Sequence, residues 1–454
     1  MKTIVIGCTH AGTAAVQEML ARDNQTEVYV YERRNDIAFL SCGIYLYLEG
    51  IVDSLAKVFY ATPADLEKMG PNVHINMRHD VIAIHQDTKT VDVQNLVTGD
   101  ISTETYDKII MSTGSYPIVP SIKGVNTPGV YLCKTYDDAM AIKKAGIEAK
   151  TIAIVGGGYI GTELAEALTR RGYEVTMISS RQHILGHYLD KGLADKIMTD
   201  MIANGVHVLN DERVEKFSTA SEGKVYIKTT TGEMTTDMAI CCVGFSPTTE
   251  LVSGLVETTK QNAIVVNDYM QTSDPDIYAT GDAAAVHNNV TGKDAYAPLA
   301  TNAVRMGKIA GANIVNYGSM RYMGTQSTSA LSLFDKTMAT TGLTYEHAIK
   351  YAPEDARTVH LRDNYRPEFM PTTDPIDMTL VYNHATRQIM GAQFYSKQDV
   401  SNCANLVSVM IQNKNTIDDL AYVDMLFNPN FDRPWNYMNM LGQAAVEKER
   451  VENQ

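Results

Sequence analysis

Two stretches of the chain share one pattern: a β-branched apolar run, a glycine turn, then apolar positions at helical spacing. Thr3-Ile4-Val5-Ile6 stops at Gly7, and helical periodicity follows from Thr13 to Ala21. Thr151-Ile152-Ala153-Ile154-Val155 stops at Gly156, and a helical pattern runs from Thr162 to Arg171. Each predicts the opening of a βαβ unit. Their separation, about 150 residues, is too long for a solenoid repeat and fits two related domains. Val91–Leu96 and Tyr106–Met111 also read as strands, the second ending at Ser112-Thr113-Gly114-Ser115. Pro117–Pro128 and the segment Val243–Pro247 predict crossings between domains. From about Tyr322 the texture changes. Strand-like runs (Leu331–Thr341, Met378–Tyr382, Ile389–Tyr395) precede helical ones (Val400–Gln412, Ile417–Phe427), which predicts an α+β third domain.

The glycine turns carry candidate chemistry. The first, Gly7-Cys8-Thr9-His10-Ala11-Gly12, keeps the outer glycines of G-x-G-x-x-G and places Thr9 in the middle. Glu32 ends the run Val28–Glu32, where an acid takes a ribose diol; alternatively it is a solvent-facing Glu after an ordinary strand. The second turn is complete. Gly156 makes the tight turn, Gly158 admits a pyrophosphate, and Gly161 allows close helix packing, with Tyr159 and Ile160 between them. Helix N-terminal N–H groups and a partial positive charge suit phosphates. The next strand, Glu174–Ile178, ends in Ser179-Ser180-Arg181, where an NAD site has an acid. Loss of that carboxylate removes repulsion toward a 2′-phosphate, Ser179 and Ser180 can donate to it, and Arg181 can pair with it. The pattern leans toward NADPH, with or without NADH; otherwise Arg181 is a solvated surface residue. A third piece, Thr272–Asp282, ends in Gly281-Asp282 and offers a carboxylate to a hydroxyl, or is an Asp cap. The expected architecture is α/β, with two Rossmann-like dinucleotide-binding domains and a C-terminal α+β domain.

Composition narrows the partners. The chain has 454 residues, 44% hydrophobic and 20% charged, with formal charge −14. Its length predicts more than one domain. Its acidity argues against nucleic acid or an anionic membrane. Anionic nucleotides must therefore be held by local dipoles and a few local cations. Six cysteines, at 8, 42, 133, 241, 242 and 403, form no CxxC pair and no zinc spacing, so neither a disulfide framework nor a metal site is expected. Met1 leads directly into a strand without a signal peptide, and no apolar run reaches membrane length. A reducing cytoplasm is expected. Cys42 stands alone in Ser41-Cys42-Gly43, and Cys133, Cys241, Cys242 and Cys403 read as inert core thiols.

Together these pieces resemble the pyridine nucleotide-disulfide oxidoreductase superfamily over nearly the whole chain. Gly7 to Thr13, Phe39–Ile44, Tyr365–Pro371 and Phe427–Pro434 look similar to its water-forming NAD(P)H oxidases, with peroxidases and coenzyme A-disulfide reductases as near relatives. The resemblance implies an FAD-binding domain from 1–118 and 249–321, an NAD(P)H-binding domain at 119–248, and a dimerisation domain at 322–454 that makes a homodimer. It implies FAD at Gly7, Thr9, Ala11, Gly12, Glu32, Arg33, Cys42, Val81, Thr113, Gly114, Lys134, Asp282 and Ala300. It implies NAD(P)H at Gly156, Gly158, Tyr159, Ile160, Gly161, Tyr188 and Gly244, with Ser179, Ser180 and Arg181 as the departure.

Dithiol relatives carry a second cysteine five positions on; here that place is Tyr47. Cys42 must then cycle alone, attacking peroxide to give a sulfenic acid and water, or forming a mixed disulfide with a small thiol. Helix N-terminal dipoles are expected to lower its pKa. His10 either donates a proton to departing oxygen or packs against its loop. Tyr159 either covers the flavin or belongs to the core. The implied activity is oxidation of NADPH, NADH or both, with four-electron reduction of O2 to water through Cys42. NAD(P)H peroxidase and coenzyme A-disulfide reductase share the scaffold; a non-catalytic flavoprotein redox sensor is the alternative of a different class.

Overall fold

The computed structural model describes residues 1–452. The fold is mixed α/β and follows the two glycine-turn patterns. In the first unit a five-stranded parallel sheet runs in the order Ile277–Ala279, Lys108–Met111, Lys2–Ile6, Glu27–Glu32, Val73–Met77. Ile4 and Val5 are fully buried at its centre, as a β-branched run covered on both faces requires. The second unit repeats the plan with His207–Leu209, Glu174–Ile178, Thr151–Val155, Met238–Cys241 and Val130–Leu132. In each, the strand ahead of the glycine turn lies in the middle, so the helix that follows starts at a switch point of strand order, where open α/β sheets bind ligands.

Both fingerprint helices begin earlier than apolar periodicity predicts. They span His10–Arg22 and Tyr159–Arg170, because the last glycine of each turn already lies within the first helical turn. A Cβ on Gly12 would collide with the Gly7 carbonyl oxygen, and one on Gly161 with that of Gly156. The first helix is also clamped from behind by Ala300–Val315. There, added Cβ atoms on Gly307 and Gly311 would strike the carbonyls of Ala11 and Ala15. The two expected crossings meet, since Ser115–Pro117 pairs antiparallel with Phe245–Pro247.

The third unit is an antiparallel sheet in the order Ser329–Leu333, Lys336–Gly342, Ile389–Ser396, Pro375–Asn383, Ala356–Asn364, covered by Ser401–Gln412 and Tyr437–Glu452. Two sequence expectations change here, and two elements are new. The single run Leu331–Thr341 is a hairpin, turned at Phe334 with φ +55°. The helix expected over Ile417–Phe427 stops at Tyr422, since Val423 is extended. Its last apolar positions, Leu426 and Phe427, do not face the core and are 68 and 50% exposed, and Phe431 and Trp435 beyond it are 66 and 53% exposed. The strand Ala356–Asn364 and the helix Tyr437–Glu452 escaped the pattern because both are rich in polar residues. Among the described residues, no helix is long and apolar enough to cross a membrane.

The backbone contact at Gly307 is testable. Gly307→Val should destabilise the first unit by roughly 2 to 3 kcal/mol through overpacking. Thermal melting would show a lower midpoint, and an unchanged midpoint would contradict the contact.

Candidate functional site

The site is assembled where three loops converge: the first glycine turn, the turn carrying Cys42, and the segment around Asp282. Gly7 takes φ +87° and lies against the Ser112 backbone, so the segment Ser112–Ser115 runs beside the turn. Glu32 is 5% exposed, and its carboxylate accepts from the N–H groups of Cys8 (2.9 Å) and Arg34 (3.0 Å). Burial raises its pKa, and those two donors partly offset the rise. Asp282, in the turn Gly281–Ala283, accepts from the Ser115 hydroxyl at 2.6 Å and from Lys134 Nζ at 3.3 Å. Lys134 lies over the Phe245 ring, 4.1 Å from its centroid, and also donates to Ser115. A cation from the second unit thus reaches the first.

Cys42 sits in a short 3-10 turn, Ser41–Gly43, that runs into the helix Ile44–Glu49. It is exposed, whereas the other cysteines are buried or half-buried, and all six are free. The expectation of a depressed thiol pKa is reversed. Crowding by protein pushes Cys42 up, and the Glu163 and Asp282 carboxylates add to this, while Lys134 opposes them. Glu163 itself is pushed up to about 8 by burial, then by Glu166. It is largely protonated at neutral pH, so its opposition to the thiolate grows only as pH rises through that value.

His10 lies at the start of the first helix. Its Nδ1 is 2.9 Å from the Tyr60 hydroxyl, and the two rings are parallel with centroids 5.5 Å apart. Its Nε2 is buried without a protein partner. Burial lowers the His10 pKa; Asp282 opposes this and Lys134 adds to it. Burial raises the Tyr60 pKa, so the phenol stays protonated and can donate to Nδ1. When the phenol donates in this way, neutral His10 carries its proton on Nε2. His10 and Cys42 feel the same two charges, Asp282 and Lys134.

At the second turn, Gly158 has open space where a Cβ would lie, as a backbone that must approach phosphates requires. Tyr159 and Tyr188 stack with centroids 4.0 Å apart, and the Tyr159 hydroxyl meets Ser329 Oγ at 2.6 Å. Gly244 takes φ +114°, and its carbonyl accepts from Ile118 in the crossing ribbon. Ser179 is 3% exposed, and its hydroxyl accepts from Arg181 N at 3.3 Å, so it shapes its own loop. Ser180 and Arg181 are exposed.

Thr113 Oγ1 donates to the Thr248 carbonyl at 2.5 Å, and the Thr248 N–H donates back to the Gly114 carbonyl at 3.0 Å. Val81 is buried beside an irregularity in strand His79–His85. Ala300 opens its helix. Arg33 is 3.5 Å from Asp80 and, with Arg34 and Arg78, lines a cleft of about 500 Å3. Sequence reasoning missed Ser115, Tyr60 and Glu163. Glu163 had a signal, being one helical turn after Tyr159, and Ser115 follows Thr113-Gly114 directly. Tyr60 had none, since only folding brings it to His10.

This donor set fits FAD. Three guanidinium groups line one cleft, Gly114 has open space where a Cβ would lie, and the buried atoms His10 Nε2 and Asp36 Oδ1 lack hydrogen-bond partners among the described residues. Comparison with known proteins agrees. Residues 1–307 match the pyridine nucleotide-disulphide oxidoreductase family and residues 328–437 its dimerisation domain. The chain is 47% identical to an NADH oxidase of Enterococcus faecalis, over 98% of this chain and all of that one. It superposes with TM-score 0.97 and 48% identity on the water-forming NADH oxidase of Lactobacillus brevis bound to NADH, with full coverage of both chains. An engineered water-forming NADPH oxidase made from that protein and bound to NADPH gives TM-score 0.97 at 47% identity, again with full coverage. Matched along its length in sequence and in fold, the chain belongs to the pyridine nucleotide-disulphide oxidoreductase family.

Proposed function

We propose that the chain is an FAD-dependent NAD(P)H oxidase that reduces O2 by four electrons to water and favours NADPH. The observation that carries this reading is one exposed thiol, Cys42, in the same charged site as His10, with Tyr47 in place of a partner cysteine. Bound FAD supplies the electron relay between nicotinamide and oxygen. Gly7, Gly12, Glu32, Thr113, Asp282 and Lys134 would hold it, and Gly156–Gly161 the pyridine nucleotide. Similarity to oxidases that use NADH or NADPH supports the class of reaction.

The protein's part is to manage peroxide and protons. The Cys42 thiolate attacks the distal oxygen of hydrogen peroxide: an S–O bond forms, the O–O bond breaks, and sulfur is oxidised by two electrons. The departing hydroxide takes the His10 Nε2 proton and leaves as water, and a proton from solvent restores Nε2. Two electrons from a second NAD(P)H return the sulfenic acid to thiolate and release the second water. Lys134 supports the thiolate against Asp282. Tyr60 is a positioning residue that keeps the donating proton on Nε2.

The exposed apolar segment Leu426, Phe427, Phe431 and Trp435 is larger than a solvated surface explains. It lies within the span of the matched dimerisation domain, and a second copy would cover it. A homodimer in a reducing cytoplasm also suits six free thiols.

Cys42→Ser should keep NAD(P)H oxidation but release about one H2O2 per O2 consumed. An oxygen electrode with peroxide detection reads this, and continued water formation would refute the sulfenic cycle. Tyr60→Phe should lower kcat with O2 several-fold, about 3 to 10 times, and move the basic limb of its pH profile; an unchanged profile would remove Tyr60 from proton handling. Leu426→Asp combined with Phe431→Asp should yield monomers by sedimentation, and persistence of the dimer would place the interface elsewhere.

A further inference from the structure

Arg181 is exposed and, among the described residues, makes no ion pair. Two imidazoles share its surroundings. His187 belongs to the loop that leads from Arg181 to Tyr188, and His347 lies on a helix of the third unit, Tyr345–Tyr351. Their ring centroids are 5.0 Å apart at 70°. Neither ring nitrogen has a hydrogen-bond partner among the described residues.

The pair is held by a fixed joint between units. Asp190 receives the N–H groups of Tyr345 (3.1 Å) and Glu346 (3.4 Å), and so caps the helix that carries His347. Gln393 locks Asp190 on both sides: its amide donates to Oδ2 at 2.6 Å, and its carbonyl accepts from Asp190 N at 2.8 Å. Tyr188, which follows His187, is stacked on Tyr159 and bonded through its carbonyl to Thr340 Oγ1 at 3.3 Å. Crowding by surrounding protein, their closeness to each other and the nearby Arg181 and Lys350 disfavour the cationic forms of exposed His187 and half-buried His347. Glu346 favours them in both, and Asp190 in His347, but Glu346 is engaged with Lys350 at 2.9 Å. Two imidazoles whose cationic forms are disfavoured are thus held beside Arg181 across a domain boundary.

We propose that His187 and His347 complete, with Arg181, a receptor for the 2′-phosphate of NADPH that spans the nucleotide-binding and C-terminal units. The proposal rests on the reading of NADPH as a substrate and adds to it a pH dependence. A phosphate dianion between the imidazoles raises their pKa values, so they take up protons as it binds. A group whose pKa rises in the complex strengthens binding below its free-state value and loses that contribution as pH passes the bound-state value. The preference for a 2′-phosphate should therefore be greatest in mildly acidic solution and decline toward alkaline pH. NADH, lacking that phosphate, should show no such decline.

The test uses calorimetric titration of the FAD-loaded enzyme with adenosine 2′,5′-bisphosphate and adenosine 5′-monophosphate at pH 6.5 and 8.5. The ratio of the two Kd values isolates the 2′-phosphate. In the unsubstituted enzyme the advantage of the bisphosphate should fall about five-fold between the two pH values. In His187→Gln with His347→Gln it should change less than about two-fold, with a residual advantage that Arg181→Ala removes. Steady-state kcat/KM for NADPH relative to NADH should follow the same pattern. An advantage that depends on Arg181 but keeps its pH dependence in the double glutamine variant would overturn the histidine receptor and leave NADPH use intact. So would an equal pH dependence for both probes, which would mean that the imidazoles serve a phosphate common to both nucleotides. No advantage for the bisphosphate in the unsubstituted enzyme would overturn NADPH preference and the receptor together.

Discussion

Backbone against backbone is the contact on which the architecture depends. At Gly12 and Gly161 a helix lies so close to the carbonyl of the preceding glycine turn that no Cβ fits. At Gly307 and Gly311 a second helix repeats this against the back of the first. These approaches aim helix N-termini across the C-terminal edges of two parallel sheets, at the places where strand order reverses. Oriented N–H groups there can hold a diphosphate without much net positive charge. That is how a chain of formal charge −14 can accept two anionic nucleotides.

Around that frame the chemistry is a contest of charges. Asp282 holds Lys134 and Ser115 together, and the resulting cluster bears on both Cys42 and His10. Partial burial and carboxylates disfavour the Cys42 thiolate, while Lys134 favours it, so ionisation depends on what occupies the site. Protonated Glu163 lightens the opposition near neutral pH. Such a thiol is held in reserve rather than permanently ionised.

Polar pins join the domains alongside an apolar cluster that runs from Phe39 and Ile44 through Ile152 and Met177 to Leu331 and Met338. Asp190, clamped by Gln393, caps a helix of the third unit. Asp200 takes both Lys336 (2.6 Å) and the Tyr395 hydroxyl (2.9 Å). Tyr159 reaches Ser329. These contacts bring the C-terminal unit against the second glycine turn, where Ser329 meets Tyr159.

Local order along the chain was enough to determine the two glycine turns, the strands beside them, the acid at Glu32, the missing acid at Ser179 and the solitary status of Cys42. Each of these is a property of residue type at short spacing, where periodicity and backbone sterics act. What tertiary structure decided lies at long separation. Tyr60 meets His10 across 50 residues, Ser115 meets Asp282 across 167, and His347 faces His187 from another unit. The helix expected through Phe427 failed for the same reason, because apolar side chains that imply a buried face were reserved for a surface. The thiol pKa also ran opposite to expectation, because a helix end is visible in sequence whereas the crowding of the thiol by protein, and after it the nearby carboxylates, are not. Sequence carries the pattern of each element; only folding brings distant charges within a few ångströms of one another, and at that range Coulomb energy and burial set what each group can do.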